Sequence, residues 1–308
     1  MRGKQIMTVT GPVNANLLGT VYSHEHLIVQ PQIPDEKYIA YTLSDENASA
    51  KEVQLFANAG GKTIVEMTPI NYGRDVLAYQ RIAKKTGIYV ICCTGFHKEL
   101  FMPSWFKEKK SSQIYDEVLN EIENGIDKTS IRPGVIKMGT SFENITDQER
   151  RAVEIVARLH QDTGIMISTH CDKGTMGIEQ LDLLEHYGVS AKDVLLGHID
   201  SKHDIDYAKE LCKRGAKICI DHVGRSLSDH DAFCVQLITE LIEAGFVDHV
   251  VLSGDMGKTD YLLSYGGTPG FGYILTELQK TLLHYISEED FSKMLIKNPQ
   301  QFLSGNND

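Results

Sequence analysis

The sequence predicts a (β/α)8 barrel, and three observations lead to this prediction. Eight short runs rich in β-branched and other apolar residues recur along the chain, and each ends in a polar or glycine-bearing turn. A segment of helical period follows each run, and this strict alternation implies right-handed βαβ crossovers in one parallel sheet. Runs such as Ile165-Met166-Ile167 are apolar throughout, as strands covered on both faces must be. The 308 residues exceed the roughly 250 that such a barrel uses, so we expect one domain over residues 1–308.

The apolar runs place the eight strands. They cover residues 18–26, 63–68, 89–94, 134–140, 165–170, 194–198, 217–221 and 249–255. The first sixteen residues, with Gly11-Pro12, predict a short hairpin that caps the barrel before the first strand. An open doubly wound sheet is the alternative fold, but its first strand usually leads into a GxGxxG turn. Here the first strand leads into His24-Glu25-His26 instead, which favours the barrel.

Two helices have clear boundaries in the sequence. Thr146-Asp147-Gln148-Glu149 is a capping box, and apolar residues follow it on one helical face as far as Gly164. A second helix is expected between Ser287 and Pro299, because serine favours the start of a helix and proline its end.

Composition excludes several function classes. The net charge is −11 and the basic residues are scattered, so the chain has no basic stripe for a nucleic-acid backbone. No stretch of about 18 apolar residues and no secretory h-region occurs, which predicts a cytoplasmic protein that does not bind membranes. The six cysteines form no CxxC pair, and we expect all of them to be reduced.

The residues with metal-ligand chemistry fall at the ends of the expected strands. Residues two apart on a strand point to the same side, so His24 and His26 can present two imidazoles to one ion. Alone, such a pair is more often an ordinary buried polar pair than a metal site. In a barrel, however, the C-terminal strand ends meet at one rim, and four further ligand-type residues lie at such positions: Lys137, His170, His198 and Asp255.

These motifs resemble the phosphotriesterase family of the amidohydrolase superfamily. The resemblance covers nearly the whole chain and rests on segments in the family's order: Val21-Tyr22-Ser23-His24-Glu25-His26, Thr63-Ile64-Val65-Glu66, Gly73-Arg74-Asp75, Gly134-Val135-Ile136-Lys137, Ser168-Thr169-His170, Leu196-Gly197-His198-Ile199-Asp200, Leu252-Ser253-Gly254-Asp255 and Asn298-Pro299. It implies that His24, His26 and Asp255 hold a buried ion and that His170 and His198 hold a more exposed one. It also implies that a carboxylated Lys137 bridges the two ions, and that members of the family form dimers.

The expected chemistry follows from these groups. A buried lysine has a lowered pKa, and its neutral amine attacks carbon dioxide to give a carbamate anion that can bridge two cations. Two divalent ions then share a hydroxide that acts as the nucleophile near neutral pH. Asp255 is the expected proton shuttle. Zinc suits nitrogen and oxygen ligands best, with manganese and cobalt as alternatives.

The substrate is expected to be a small anion. Arg225 and Lys258 follow the seventh and eighth strands, and two cations at the rim of an acidic protein suit a phosphate or carboxylate. His97 and Tyr261 are further candidates for substrate binding. The resemblance implies lactonase or phosphotriesterase activity, and Gly95-Phe96-His97-Lys98 replaces the tyrosine-bearing loop of acyl-lactonases. The sequence therefore favours a phosphorylated sugar lactone; a phosphoester hydrolase and a non-catalytic metal-binding barrel are the alternatives.

Overall fold

The computed structural model describes residues 5–33, 35–225 and 229–305. An antiparallel hairpin comes first, in which β1 (Gln5–Thr8) pairs with β2 (Gly11–Asn14). Eight strands then follow in one sheet: β3 (Val21–Glu25), β4 (Thr63–Glu66), β5 (Tyr89–Gly95), β6 (Val135–Thr140), β7 (Ile167–Cys171), β8 (Val194–Gly197), β9 (Lys217–Ile220) and β10 (Val250–Leu252). Each strand pairs in parallel with the next along the chain.

The first and last strands of this sheet, β3 and β10, are joined by contacts between β3 and the residues that follow β10. The Asp255 amide donates a hydrogen bond to the His24 carbonyl at 3.0 Å, and the Ser253 hydroxyl oxygen lies 2.6 Å from the same carbonyl oxygen. The sheet is thus a nearly closed barrel, as the sequence predicts.

Helices separate the strands and cover the outside of the sheet. The α-helices are α1 (Glu46–Asn58), α2 (Val76–Thr86), α3 (Trp105–Glu108), α4 (Ser111–Asn124), α5 (Asp147–Thr163), α6 (Gly177–His186), α7 (Ile205–Lys213), α8 (Asp229–Glu243), α9 (Gln279–Leu282), α10 (Glu288–Ser292) and α11 (Asn298–Ser304). Short 3₁₀ turns occur between them, including Glu36–Tyr41 near the barrel mouth. None of the helices in the described part of the chain is long and apolar enough to cross a membrane.

The capping box before α5 is confirmed, and the expected end of the last helix is wrong. Thr146 Oγ1 accepts from the Glu149 amide at 3.2 Å, Glu149 Oε2 accepts from the Thr146 amide at 2.9 Å, and Gly164 ends α5 in a left-handed conformation. Ser287 caps α10 as expected, but the helical path continues beyond Pro299 to Ser304. A π-helical segment, Lys293–Lys297, precedes Pro299, and this wider turn accommodates a residue that has no amide hydrogen to donate.

The interior of the barrel is apolar at its N-terminal end. Every second strand residue points inward, and one buried cluster contains Val21, Val65, Ile91, Val135, Met166, Leu195, Cys219 and Val251. Ile6 of the hairpin and Phe302 and Leu303 of α11 belong to the same cluster. A Cβ at Gly134 would lie 2.6 Å from the Met7 carbonyl oxygen, so the hairpin packs directly against the start of β6. The predicted hairpin therefore closes this end of the barrel, and the six cysteines are buried and free, as expected.

Candidate active site

A cavity of about 550 Å³ lies at the opposite end of the barrel, where the strands end. Nine of the ten residues that the sequence proposes for the site line this cavity: His24, His26, His97, Lys137, His170, His198, Arg225, Asp255 and Lys258. The tenth, Tyr261, lies behind the two basic side chains, with its ring centre 5.1 Å from Arg225 Cζ and 5.7 Å from Lys258 Nζ. The topology thus brings together side chains that are distant in sequence.

The site residues come partly from strands and partly from the turns that follow them. His24, Lys137 and His170 lie on β3, β6 and β7, whereas the strands end before His198 and Asp255. These two residues have φ values of 65° and 42°, in the left-handed region that ends a strand. The strand boundaries predicted to include them are therefore slightly too long, although the side chains still reach the cavity.

His24, His26 and Asp255 form one cluster that can hold a metal ion. His26 Nε2 lies 3.0 Å from Asp255 Oδ1, and His24 Nε2 lies 3.6 Å from the same oxygen. The far nitrogen of His26, Nδ1, is 2.7 Å from the Thr68 hydroxyl, which fixes the orientation of its ring. Thr68 in turn donates to Glu66, so this carboxylate supports the cluster from behind.

Lys137 lies beside this cluster and is 1% exposed. Its Nζ is 3.3 Å from His24 Nε2 and 2.8 Å from the Met67 carbonyl oxygen. Burial lowers the pKa of Lys137, because desolvation disfavours the charged ammonium. The neutral amine, the form that carbamate formation requires, is therefore easier to reach than on an exposed lysine.

His170 and His198 face each other on the other side of Lys137, with ring centres 4.5 Å apart. Burial holds the pKa of His170 well below its usual value, and its Nε2 has no hydrogen-bond partner among the described residues. A buried nitrogen without a partner is costly unless something else binds it. This nitrogen and the clustered imidazoles and carboxylate around it fit the donor set of a metal centre.

Asp221 is a site residue that the motif analysis missed. Its carboxylate is fully buried and lies 2.9 Å from His198 Nδ1 and 3.3 Å from His24 Nδ1. Burial by itself raises the pKa of Asp221, but the two histidines outweigh this effect and hold the pKa well below the usual range. One carboxylate therefore orients an imidazole from each expected metal position. Its place at the end of the seventh strand, level with the other ligands, is the signal that could have identified it.

His222 connects Asp255 to a second buried carboxylate. Its ring stacks on His198 with 4.7 Å between centres, and its Nε2 lies 3.5 Å from Asp255 Oδ2. Its amide donates to Asp200 Oδ2 at 3.1 Å, and its Nδ1 lies 3.8 Å from that oxygen. The hydrogen-bond partner of His222 Nδ1 is the Ser201 hydroxyl, so His222 contacts Asp255 through Nε2 and is bound to Asp200 through its backbone amide.

Arg225 does not extend freely into the cavity. Its Nε donates to the Gly254 carbonyl at 3.0 Å, and its Nη2 contacts both the carbonyl and the carboxylate of Asp255. Lys258 is paired with Asp260 at 3.0 Å. Arg225 is therefore in contact with Asp255, a candidate metal ligand, whereas the sequence analysis predicted only that Arg225 binds the substrate.

Glu25 is the second residue whose role the sequence did not reveal. It points away from its two histidine neighbours and is fully buried. Its carboxylate accepts from the Ser253 hydroxyl at 2.8 Å, the Gly254 amide at 2.6 Å and the Met256 amide at 2.9 Å. Burial raises the pKa of Glu25 to about 8, against the opposing effect of these three donors. The Glu25 side chain is therefore hydrogen-bonded to the backbone amides on both sides of Asp255.

Comparison with known proteins identifies the family. The phosphotriesterase family model matches residues 4–303. The chain belongs to the phosphotriesterase family. It is 31% identical to the phosphotriesterase homology protein of Escherichia coli strain K12, over 92% of this chain and 97% of that protein. It is 32% identical to the phospho-furanose lactonase of Mycoplasmopsis synoviae strain 53, over 99% of this chain and 93% of that protein.

Solved structures agree with this assignment. A lactonase from Listeria monocytogenes superposes with a TM-score of 0.91 at 30% identity, over 97% of this chain and 98% of the other. The Escherichia coli phosphotriesterase homology protein, solved with phosphate in its active site, superposes with a TM-score of 0.89 at 31% identity, over 93% and 99% of the two chains. This family member is therefore a hydrolase, and its clustered histidines and carboxylates provide groups that can bind metal.

Proposed function

We propose that this family member hydrolyses the ring ester of a small phosphorylated sugar lactone at a centre of two divalent metal ions. His24, His26 and Asp255 would hold one ion, His170 and His198 the other, and a carboxylated Lys137 would bridge them. The observation that carries the proposal is the position of Lys137, buried among imidazoles with no carboxylate as its hydrogen-bond partner among the described residues. The bound ions, zinc by preference, would acidify water and polarise the lactone carbonyl.

In this proposal, side chains of the protein transfer the proton of the attacking water. Asp255 accepts the proton of the attacking water and returns it to the leaving oxygen, because its carboxylate lies at the cavity floor between the histidines. The Arg225 guanidinium and the His222 ring contact the same carboxylate and hold it in place. Burial raises the pKa of Asp255, but Arg225 and the neighbouring histidines outweigh this effect and hold the pKa well below its usual range, so the carboxylate is in the ionised form that can bind metal and accept a proton.

The wall of the cavity supports a polar, anionic substrate of sugar size. The lining includes aromatic rings, from Tyr38, Tyr41, Tyr72 and Phe101, and basic side chains, from Lys37, Lys98, Lys173 and Lys258. Aromatic faces suit the apolar face of a furanose ring, and cations at the rim suit a phosphate. Relatives named phospho-furanose lactonase support the same substrate class.

Phosphoester hydrolysis is the second candidate, and a structural neighbour gives the reason. An organophosphorus hydrolase from Deinococcus radiodurans superposes with a TM-score of 0.84 at 27% identity. Amide hydrolysis also belongs in the test, because a relative from Dictyostelium discoideum named N-acetyltaurine hydrolase is 29% identical over 85% of this chain. A barrel that binds metal without turnover is the remaining alternative.

Metal analysis together with a pH-indicator assay tests the proposal. Purified protein is expected to contain two divalent ions per chain and to release acid from aldonolactones that carry a 5-phosphate faster than from the same lactones without it. Organophosphate triesters, phosphomonoesters and N-acetyltaurine complete the substrate panel, and their products are measured by mass spectrometry because hydrolysis of a monoester or an amide releases little or no net acid near neutral pH. Turnover of a phosphate ester or an amide without turnover of any lactone would overturn the lactonase proposal. Two metals with no turnover on the whole panel would favour the binding barrel.

A further inference from the structure

A second group of metal-type donor atoms lies behind His222, on the side away from the cavity. It consists of Asp200, in the turn after β8, and of His230 and Cys234 on α8. We call these three residues the rear donor group. Residues four apart on a helix lie on one face, so His230 and Cys234 present their side chains together towards Asp200.

The distances within the rear donor group match a metal site. Asp200 Oδ2 lies 2.9 Å from His230 Nε2, Cys234 Sγ lies 3.4 Å from His230 Nε2, and Cys234 Sγ lies 3.9 Å from Asp200 Oδ2. A triangle with these three sides has a circumscribed radius of about 2.0 Å, close to the zinc distances of about 2.0–2.2 Å to nitrogen or oxygen and about 2.3 Å to sulfur. An ion slightly out of the plane of the three atoms would therefore reach all of them with little movement of the side chains.

The surroundings of the rear donor group hold its members in place and leave a route from solvent. Asp200 and Cys234 are fully buried, whereas the His230 side chain is 15% exposed. Asp200 accepts the backbone amides of Asp221 and His222, which orients its carboxylate. The other nitrogen of His230, Nδ1, faces Nε2 of the exposed His203 at 2.9 Å. Metal-ligating histidines usually have such a partner on their second nitrogen.

An ordinary hydrogen-bond network explains only part of this arrangement. Without metal, His230 Nε2 and the Cys234 thiol can both donate to Asp200 Oδ2. These two hydrogen bonds do not require the third side of the triangle, the 3.4 Å between the sulfur and His230 Nε2. Cys234 is also the one cysteine that belongs to a metal-type donor group within residues 5–33, 35–225 and 229–305. A mixed set of oxygen, nitrogen and sulfur with one position open to solvent is typical of zinc and of its softer relative cadmium.

We propose that Asp200, His230 and Cys234 bind a zinc-class cation at a sulfur-containing site separate from the catalytic centre. The thiol loses its proton to solvent on binding, as thiolate ligation requires. Asp200 also contacts His222, and His222 contacts Asp255, so an ion at this site would be one imidazole away from the candidate catalytic carboxylate.

Sulfur gives the new site a signature that the catalytic centre lacks. The candidate catalytic ligands are nitrogen and oxygen atoms, so a thiolate-to-cadmium charge-transfer absorption can come only from a cysteine. Cadmium is titrated into the full-length protein that carries no more than two zinc ions per chain, with a reductant that contains no thiol, and the ultraviolet difference spectrum is recorded. One equivalent of cadmium is expected to produce the band in wild type and in the control Cys212→Ala, which changes a buried cysteine of α7 that lies outside the group.

Two variants of the rear donor group complete the test. Cys234→Ala is expected to abolish the band, and His230→Gln, which keeps the thiol, is expected to weaken cadmium binding at least tenfold. Circular dichroism checks that each variant is folded, and cadmium-113 NMR of His230→Gln reports whether sulfur is still a ligand. Absence of the band in folded wild type, or its persistence in Cys234→Ala, would overturn the proposal. Neither readout depends on lactone turnover, so the result is independent of the proposed function.

Discussion

The carboxylate of Glu25 offers a sharp test of how the barrel positions Asp255. Asp255 has a φ of 42°, a conformation that costs a non-glycine residue about 1–3 kcal/mol. Glu25 accepts the amides of Gly254 and Met256, the residues on either side of Asp255. We therefore expect Glu25 to hold the strained backbone that points the Asp255 carboxylate into the cavity.

The magnitude follows from counting the donors that a substitution leaves unpaired. Oε1 of Glu25 accepts two hydrogen bonds and Oε2 accepts one, from the Met256 amide. In Glu25→Gln, the amide oxygen can replace Oε1, but the NH2 group then faces the Met256 amide hydrogen. One buried donor is left without an acceptor, at a cost of about 1–3 kcal/mol in the free energy of unfolding. Because that donor is adjacent to Asp255, we expect kcat to fall more than KM rises.

Glu52→Gln is the matched control. Glu52 is also fully buried, and each of its oxygens accepts one backbone amide, from Phe271 and Ser264. The two variants should therefore lose similar stability in urea denaturation, but only Glu25→Gln should lose kcat on the best lactone. Equal kcat in the two variants would refute the positioning role. A Glu25→Gln variant as stable as wild type would refute the expected cost of an unpaired amide donor.

The remaining predictions concern the candidate centre and the scaffold. Lys137→Ala is expected to lose bound metal and activity together, measured by mass spectrometry and lactone assay; full activity with both ions retained would remove Lys137 from the centre. Asp255→Asn is expected to lower kcat by about 10²–10⁴-fold, because it removes the acid–base group, and a near-wild-type kcat would assign proton transfer elsewhere. Arg225→Met is expected to lower kcat for phosphorylated and unphosphorylated lactones alike, because the guanidinium binds Asp255; a rise in KM confined to the phosphorylated lactone would place the phosphate on Arg225. Thr146→Ala is expected to lower the free energy of unfolding by about 0.5–2 kcal/mol through loss of the α5 cap, with kcat unchanged.

The fold and the choice of rim residues were predictable because they depend on local patterns. Alternation of apolar runs with helical segments predicts a parallel sheet, and eight such runs without a GxGxxG turn after the first favour a barrel. The strand ends then predict which residues reach its mouth. His24, Lys137 and His170 could be placed in this way without any knowledge of their contacts. The capping box at Thr146 could also be predicted from the sequence, because Thr146 and its partner Glu149 are only three residues apart.

The partners of these side chains were decided by the tertiary structure alone. Arg225 binds the Asp255 carboxylate because the turns after β9 and β10 pack together. Glu25 of β3 accepts the amides on either side of Asp255 because the turn after β10 packs against β3. The rear donor group likewise combines a turn after β8 with a helix that follows β9. A sequence specifies which way a strand residue points, since that direction repeats every two residues. It does not show which distant group a long polar side chain meets, since that depends on how separate loops pack against one another.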